Sequence, residues 1–144
     1  MDSTSDKLKA NAFLIRCFQV LSSHQEGTLR YRAIILHIEW LMRLLGFDTF
    51  RVTAETKRIK GGIERNRPAT IDRELEAQLL WVVNHCQTML CLPTEVEGDI
   101  RREAADDIST TLMTTYKCDR VMADQLRDLT RALVQEEKAS PRHT

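Results

Sequence analysis

The residues Lys57-Arg-Ile-Lys-Gly-Gly-Ile-Glu-Arg-Asn-Arg-Pro68 set five cations against one carboxylate around a glycine pair. Clustered cations neutralise phosphates and release counterions, and glycines let a backbone approach a ligand closely. With Arg51, the side chains of Lys57, Arg58, Lys60, Arg65 and Arg67 form the candidate site for a nucleic acid or another anion. Contacts there would fall mostly on backbone phosphates, because no recognition helix with an obvious exposed face follows, so binding would be weakly sequence-specific. The helix expected from Thr70 would point its positive end at such an anion, opposed by Asp72 and Glu74. The glycine spacing does not match the phosphate-cradling loop of NTPases. The competing reading is a solvated basic loop.

Metal and nucleophile chemistry find weaker footing. His37-Ile-Glu39 with Cys86 and Cys91 approximates the His-x-Glu…Pro-Cys-x-x-Cys pattern of zinc deaminases. It fails in detail: no proline precedes Cys86, and the two cysteines are too far apart and fall on apolar helical positions, where a core thiol is expected. His85 and Cys86 project about 100° apart on a helix and cannot share one metal. No Glu-x-x-His pair supplies a di-iron site. Cys17, Cys86, Cys91 and Cys118 have no glycine-rich elbow or neighbouring base, and they read as reduced thiols. No cofactor, no metal and no enzymatic activity are expected.

A third group of residues points to protein contacts. Arg30 and His37 share one edge of a strongly apolar helix, which makes them either an interior histidine with a snorkelling arginine or an interface site. Trp40 and Trp81 read as core residues, with a binding platform as the alternative. Net charge is zero overall but uneven: +2 over residues 1–46, +3 over 47–70, −5 over 71–117 and 0 over 118–144. Glu95, Asp99 and Glu103, with Asp106 and Asp107, form an acidic face suited to a basic partner or to the basic half of another copy.

These residues must be held by helices. Residues 29–45 are apolar on two flanks at helical spacing, so that helix needs neighbours on both sides. Thr28 is its expected N-cap and Gly46 its left-handed stop. A first helix is expected from about Ser5 to Ser22, with Leu8, Leu14, Ile15, Phe18 and Leu21 inward. Asp48 caps a third helix over residues 49–60, which Gly61-Gly62 ends, leaving a loop to Ala69. A fourth helix runs from Thr70, with Leu75, Leu79, Val82, Cys86 and Met89 as its seam, until Pro93. Thr94-Glu-Val-Glu97 has capping-box spacing and opens a fifth, carrying Val96, Ile100, Ala104, Ile108, Leu112 and Tyr116 inward. Asp119 caps a sixth, whose Met122, Leu126, Leu129 and Leu133 make a seam that also suits a short coiled-coil contact.

With 144 residues, 42% apolar, 29% charged and only five glycines, the chain has material for one core of long elements. The expected fold is an all-α single-domain bundle of about six helices over residues 1–137, with a disordered tail at 138–144. No stretch of ~20 apolar residues could span a bilayer, and the polar N-terminus lacks the features of a secretory signal. The expected location is the cytoplasm, or a host-cell interior. The functional expectation is a non-catalytic interaction protein, such as a viral or bacterial inhibitor, adaptor or small assembly subunit. It would bind a protein partner or self-associate through helix faces; the alternative is a nucleic-acid-binding accessory protein using residues 57–67.

Overall fold

Capping chemistry starts the helices where short polar side chains can accept orphan amides. The Asp48 carboxylate takes the Arg51 amide at 2.9 Å, Asp119 takes that of Met122 at 2.9 Å, and the Thr28 hydroxyl takes that of Tyr31 at 3.3 Å. A computed structural model describes residues 3–65, 70–90 and 98–139, with side chains throughout these except at 3–9, 64 and 65. Among the described residues the chain is all-α, with six helices and no strand. They are α1 Ser3–Ser22, α2 Leu29–Leu44, α3 Thr49–Arg65, α4 Arg73–His85, α5 Gly98–Tyr116 and α6 Arg120–Ala139, with a π-helical turn at Cys86–Leu90. No described helix is long and apolar enough to cross a membrane. The chain divides into two compact units, Met1–Leu79 and Leu80–Thr144, with the boundary inside α4.

In the first unit α1, α2 and α3 pack mutually. α1 starts at Ser3, earlier than the expected Ser5, and buries Leu14, Cys17, Phe18, Val20 and Leu21, leaving Ile15 38% exposed. α2 stops where Gly46 adopts φ 99°: its amide bonds the Arg43 carbonyl and the Phe47 amide bonds the Met42 carbonyl, both at 3.0 Å. Its two apolar flanks join into one buried arc of about 200° running from Trp40 through His37 to Met42.

The Gly61-Gly62 pair does not end α3. The helix continues to Arg65, so the expected loop over 61–69 is overturned as far as the described residues reach. The reason is tertiary: Ile63 falls on the same face as Val52 and Ile59, and all three are buried. Burying Ile63 offsets the helix cost of about 1 kcal/mol per glycine. α4 begins three residues later than expected, because Asp72 and not Thr70 is its cap: the Asp72 carboxylate accepts the Leu75 amide at 3.1 Å and its carbonyl accepts that of Glu76 at 3.0 Å.

In the second unit α5 and α6 pack on each other and on the π-turn. The α-helical hydrogen bonding of α4 ends at His85, and the wider turn that follows keeps Cys86 and Leu90 buried. Pro93 and the box at 94–97, with Cys91 and Val96, lie outside the described residues. On α6 the expected seam is displaced: the buried face is Ala123, Leu126, Thr130 and Val134, while Leu129 is 39% exposed and Met122 and Leu133 are half-buried. An internal bond makes Thr130 fit to be buried, and Arg127 ties that rotation to α5. Thr130 donates to the Leu126 carbonyl at 2.8 Å, and Arg127 reaches across to α5, donating to Ser109 Oγ at 2.9 Å and the Ala105 carbonyl at 3.3 Å. Fully buried Ser109 in turn donates to Asp124 at 2.6 Å, a bond that, with those from Arg120, holds the Asp124 carboxyl below its usual range. α6 runs to Ala139, two residues into the expected tail.

Candidate docking groove

On α5 the residues Ile100, Glu103, Ala104 and Asp107 recur at helical spacing and make one wall of a groove of about 250 Å³ in the second unit. The other wall is Trp81 and His85, one turn apart on α4, with Met89 from the π-turn; Ile108 completes the lining. The rings of Trp81 and His85 stand 4.1 Å apart at 34°. His85 Nδ1 donates to the Trp81 carbonyl at 2.9 Å, which fixes the ring's position and leaves Nε2 as its other polar atom. Ile100, expected inward, is 45% exposed at the rim. Among the described residues neither Glu103 nor Asp107 has an ion-pair or hydrogen-bond partner. The groove therefore offers aromatic and aliphatic surface beside two uncompensated carboxylates.

The cations from the expected anion site do not converge on one patch. Arg51 and Arg58 are exposed on one side of α3, Lys57 is exposed about 100° round the helix from them, and Lys60, about 60° further round, is half-buried. There its ammonium sits 5.4 Å from the Tyr31 ring centroid and 3.8 Å from Glu26. Arg58 is held by Glu55 at 2.7 Å, and Arg51 lies 4.9 Å over the Phe47 ring. Lys57 has no ion-pair partner among the described residues. The side chain of Arg65, and Arg67 altogether, lie outside the described residues. Beside Lys57 on the same stripe stands Phe50, 83% exposed, which sequence reading treated only as part of the third helix.

Of the expected interface residues, Arg30, Asp99 and Glu103 are exposed, and Glu95 lies outside the described residues. His37 is not on the surface: it is 2% exposed, hydrogen-bonded to the Leu79 backbone, with Trp40 edge-on at 6.0 Å. Burial lowers its pKa from 6.5 to about 4, so it is a neutral core side chain at pH 7. Its interior place was signalled by Ile34 and Leu41, which share its edge of α2 within about 60°. The groove had separate signals as well, Trp81, His85 and Met89 at intervals of four, but their pairing with α5 is a tertiary fact.

A second cavity, of about 350 Å³, lies in the first unit with Phe18, Leu21 and Ile63 as its apolar floor. Its polar groups bind each other. His24 Nε2 donates to Glu76 at 3.0 Å, and the Tyr31 hydroxyl donates to Glu26 at 3.4 Å. Burial pushes the Glu76 carboxyl up, but hydrogen bonds from Arg73 and His24 outweigh it and hold the group below its usual value. Ser22 and Ser23 donate to the Gln19 and Val20 carbonyls, both at 2.7 Å, so neither hydroxyl proton is directed at the imidazole. Burial pushes the Cys17 thiol up to about 12 and, with Asp119 adding to it, raises that of Cys118. Among the described residues no three His, Cys, Asp or Glu side chains are placed to hold a metal. No protein-family model, curated protein or solved structure matches this chain.

Proposed function

We propose that the chain is a non-catalytic interaction protein and that the groove formed by Trp81, His85, Met89, Ile100, Glu103 and Asp107 receives a helical segment of a protein partner. The carrying observation is the pairing of partnerless carboxylates with half-open aromatic and aliphatic surface on one groove wall. Helix-in-groove recognition uses such apolar lining for affinity and rim charge for register. The test is to pan an unbiased library of displayed helix-forming peptides against the whole chain. Recovered peptides are expected to lose roughly tenfold or more in affinity on Ile100→Glu or Asp107→Lys, both at exposed positions. Binders indifferent to both substitutions, or no binders at all, would refute the assignment.

A second reading, accessory binding of nucleic acid, is favoured by the exposure of Arg51, Lys57 and Arg58 on α3. With so few phosphate contacts, affinity should fall with a shallow salt slope of about −3 or less in log–log form. Anisotropy titrations of labelled single- and double-stranded DNA and RNA measure that slope, and an absence of binding at low salt removes this reading.

A further inference from the structure

We infer that the occupant of the groove is a second copy of this chain, which presents the α3 stripe containing Phe50 and Lys57. This rests on the docking reading above and adds the identity of the partner segment. Three observations meet. Phe50 is 83% exposed, more than any other large apolar side chain among the described residues. Lys57, seven residues on and so on the same helix face, lacks an ion-pair partner among the described residues, as do Glu103 and Asp107 in the groove. Lastly, the lengths agree: Phe50 and Lys57 are roughly 10 Å apart along α3, and the groove wall from Ile100 to Ile108 is roughly 12 Å long.

Ala54 lies between Phe50 and Lys57 along that stripe and Gly61 follows it, so these two positions add little bulk to the face. The Phe50 ring then takes the aromatic and aliphatic part of the groove beside Trp81 and Met89, and the Lys57 ammonium takes the carboxylates. Charge favours this pairing beyond the two contacts: residues 47–70 carry net +3 and residues 71–117 net −5. Stripe and groove are different surfaces, so each copy offers both halves of the contact. Such a contact is heterologous, and its repetition makes a ring or an open chain of copies.

Sedimentation velocity on the full chain, over a wide concentration range at low and high salt, tests this. The wild type is expected to show association that grows with concentration and weakens with salt. Phe50→Ala with Lys57→Glu should abolish it, and so should Glu103→Lys with Asp107→Lys. All four positions are exposed, so far-UV circular dichroism and melting should be unchanged; should a charge-reversed chain misfold, Phe50→Gln and Glu103→Gln with Asp107→Asn replace it. A cross-mixture separates this contact from general stickiness. With the uncharged variants, Phe50→Gln on the stripe and Glu103→Gln with Asp107→Asn in the groove, each chain keeps one intact half of the contact and the two altered halves do not attract each other, so an equimolar mixture should form one-to-one dimers and nothing larger. A wild type that stays monomeric throughout, association that survives either pair of substitutions, or a mixture that stays monomeric overturns the inference. If the wild type is monomeric while selected peptides still dock at Ile100 and Asp107, the docking reading stands and only the second copy is removed.

Discussion

Trp40→Ala is expected to lower the stability of the Met1–Leu79 unit by about 4 kcal/mol. Trp40 is fully buried on α2 and heads the largest side chains of the core, with Phe18, Leu14, Leu21, Ile34 and Ile38 also excluded from solvent. Truncation removes the transfer free energy of the indole and leaves a void that packed helices close only partly. A domain of this size has roughly 5–15 kcal/mol in total, so the unit should become marginal or unfold at room temperature. Trp40→Phe, which keeps most of the volume, should cost less. Urea denaturation followed by far-UV circular dichroism measures the loss, and Trp81 remains as a fluorescence reporter for the Leu80–Thr144 unit. A loss below ~1 kcal/mol would show that α2 is not packed on the side that carries the indole.

Acidification is expected to destabilise the same unit through His37. The folded pKa is lowered from 6.5 to about 4 by burial, so in the unfolded chain the imidazole takes up a proton that the folded state refuses. Unfolding therefore gains protons as pH falls, and by linkage stability declines. The contribution is intact above pH 6.5, shrinks as pH drops towards 4, and is spent below that. Over the whole window it amounts to about 3 kcal/mol. His37→Gln, which retains a group able to donate to the Leu79 backbone, should lose this slope whatever it does to stability at pH 7. The measurement is the difference between wild type and variant in urea-derived stability from pH 7 to 4.5. Parallel curves would mean that His37 meets solvent in the folded state.

Several boundaries were legible because they depend on chemistry within one turn. Thr28, Asp48 and Asp119 each accept an amide three residues ahead, and Gly46 takes a backbone angle that other residues resist. Where two signals competed locally, burial settled the outcome. Gly61-Gly62 reads as a break from propensity alone, yet Ile63 has a buried place on the α3 face and the helix carries through. The leucines of α6 read as a seam by spacing alone, yet Arg127 has partners on α5 that reward a different rotation, Thr130 satisfies its hydroxyl within α6 and so can be buried, and Leu129 is left partly in solvent. Of the two readings of His37, interior side chain or interface site, burial settles the first, and a neutral imidazole bonded to the backbone is an acceptable core group.

The chain alone determined that this protein is all-α, where three of its helices are capped, and that its positive and negative charge lie in different stretches. Those properties depend on side-chain periodicity, single-turn hydrogen bonds and composition, all of which are present in the order of residues. Tertiary structure alone decided that Trp81, His85 and Met89 face Glu103 and Asp107 across a groove, that Lys60 meets Glu26, and that Phe50 is left bare. The physical reason is that such neighbours are far apart along the chain and meet only when helices choose which face to bury. That choice is set by the combined packing and hydrogen bonding of several elements, and no single segment contains it.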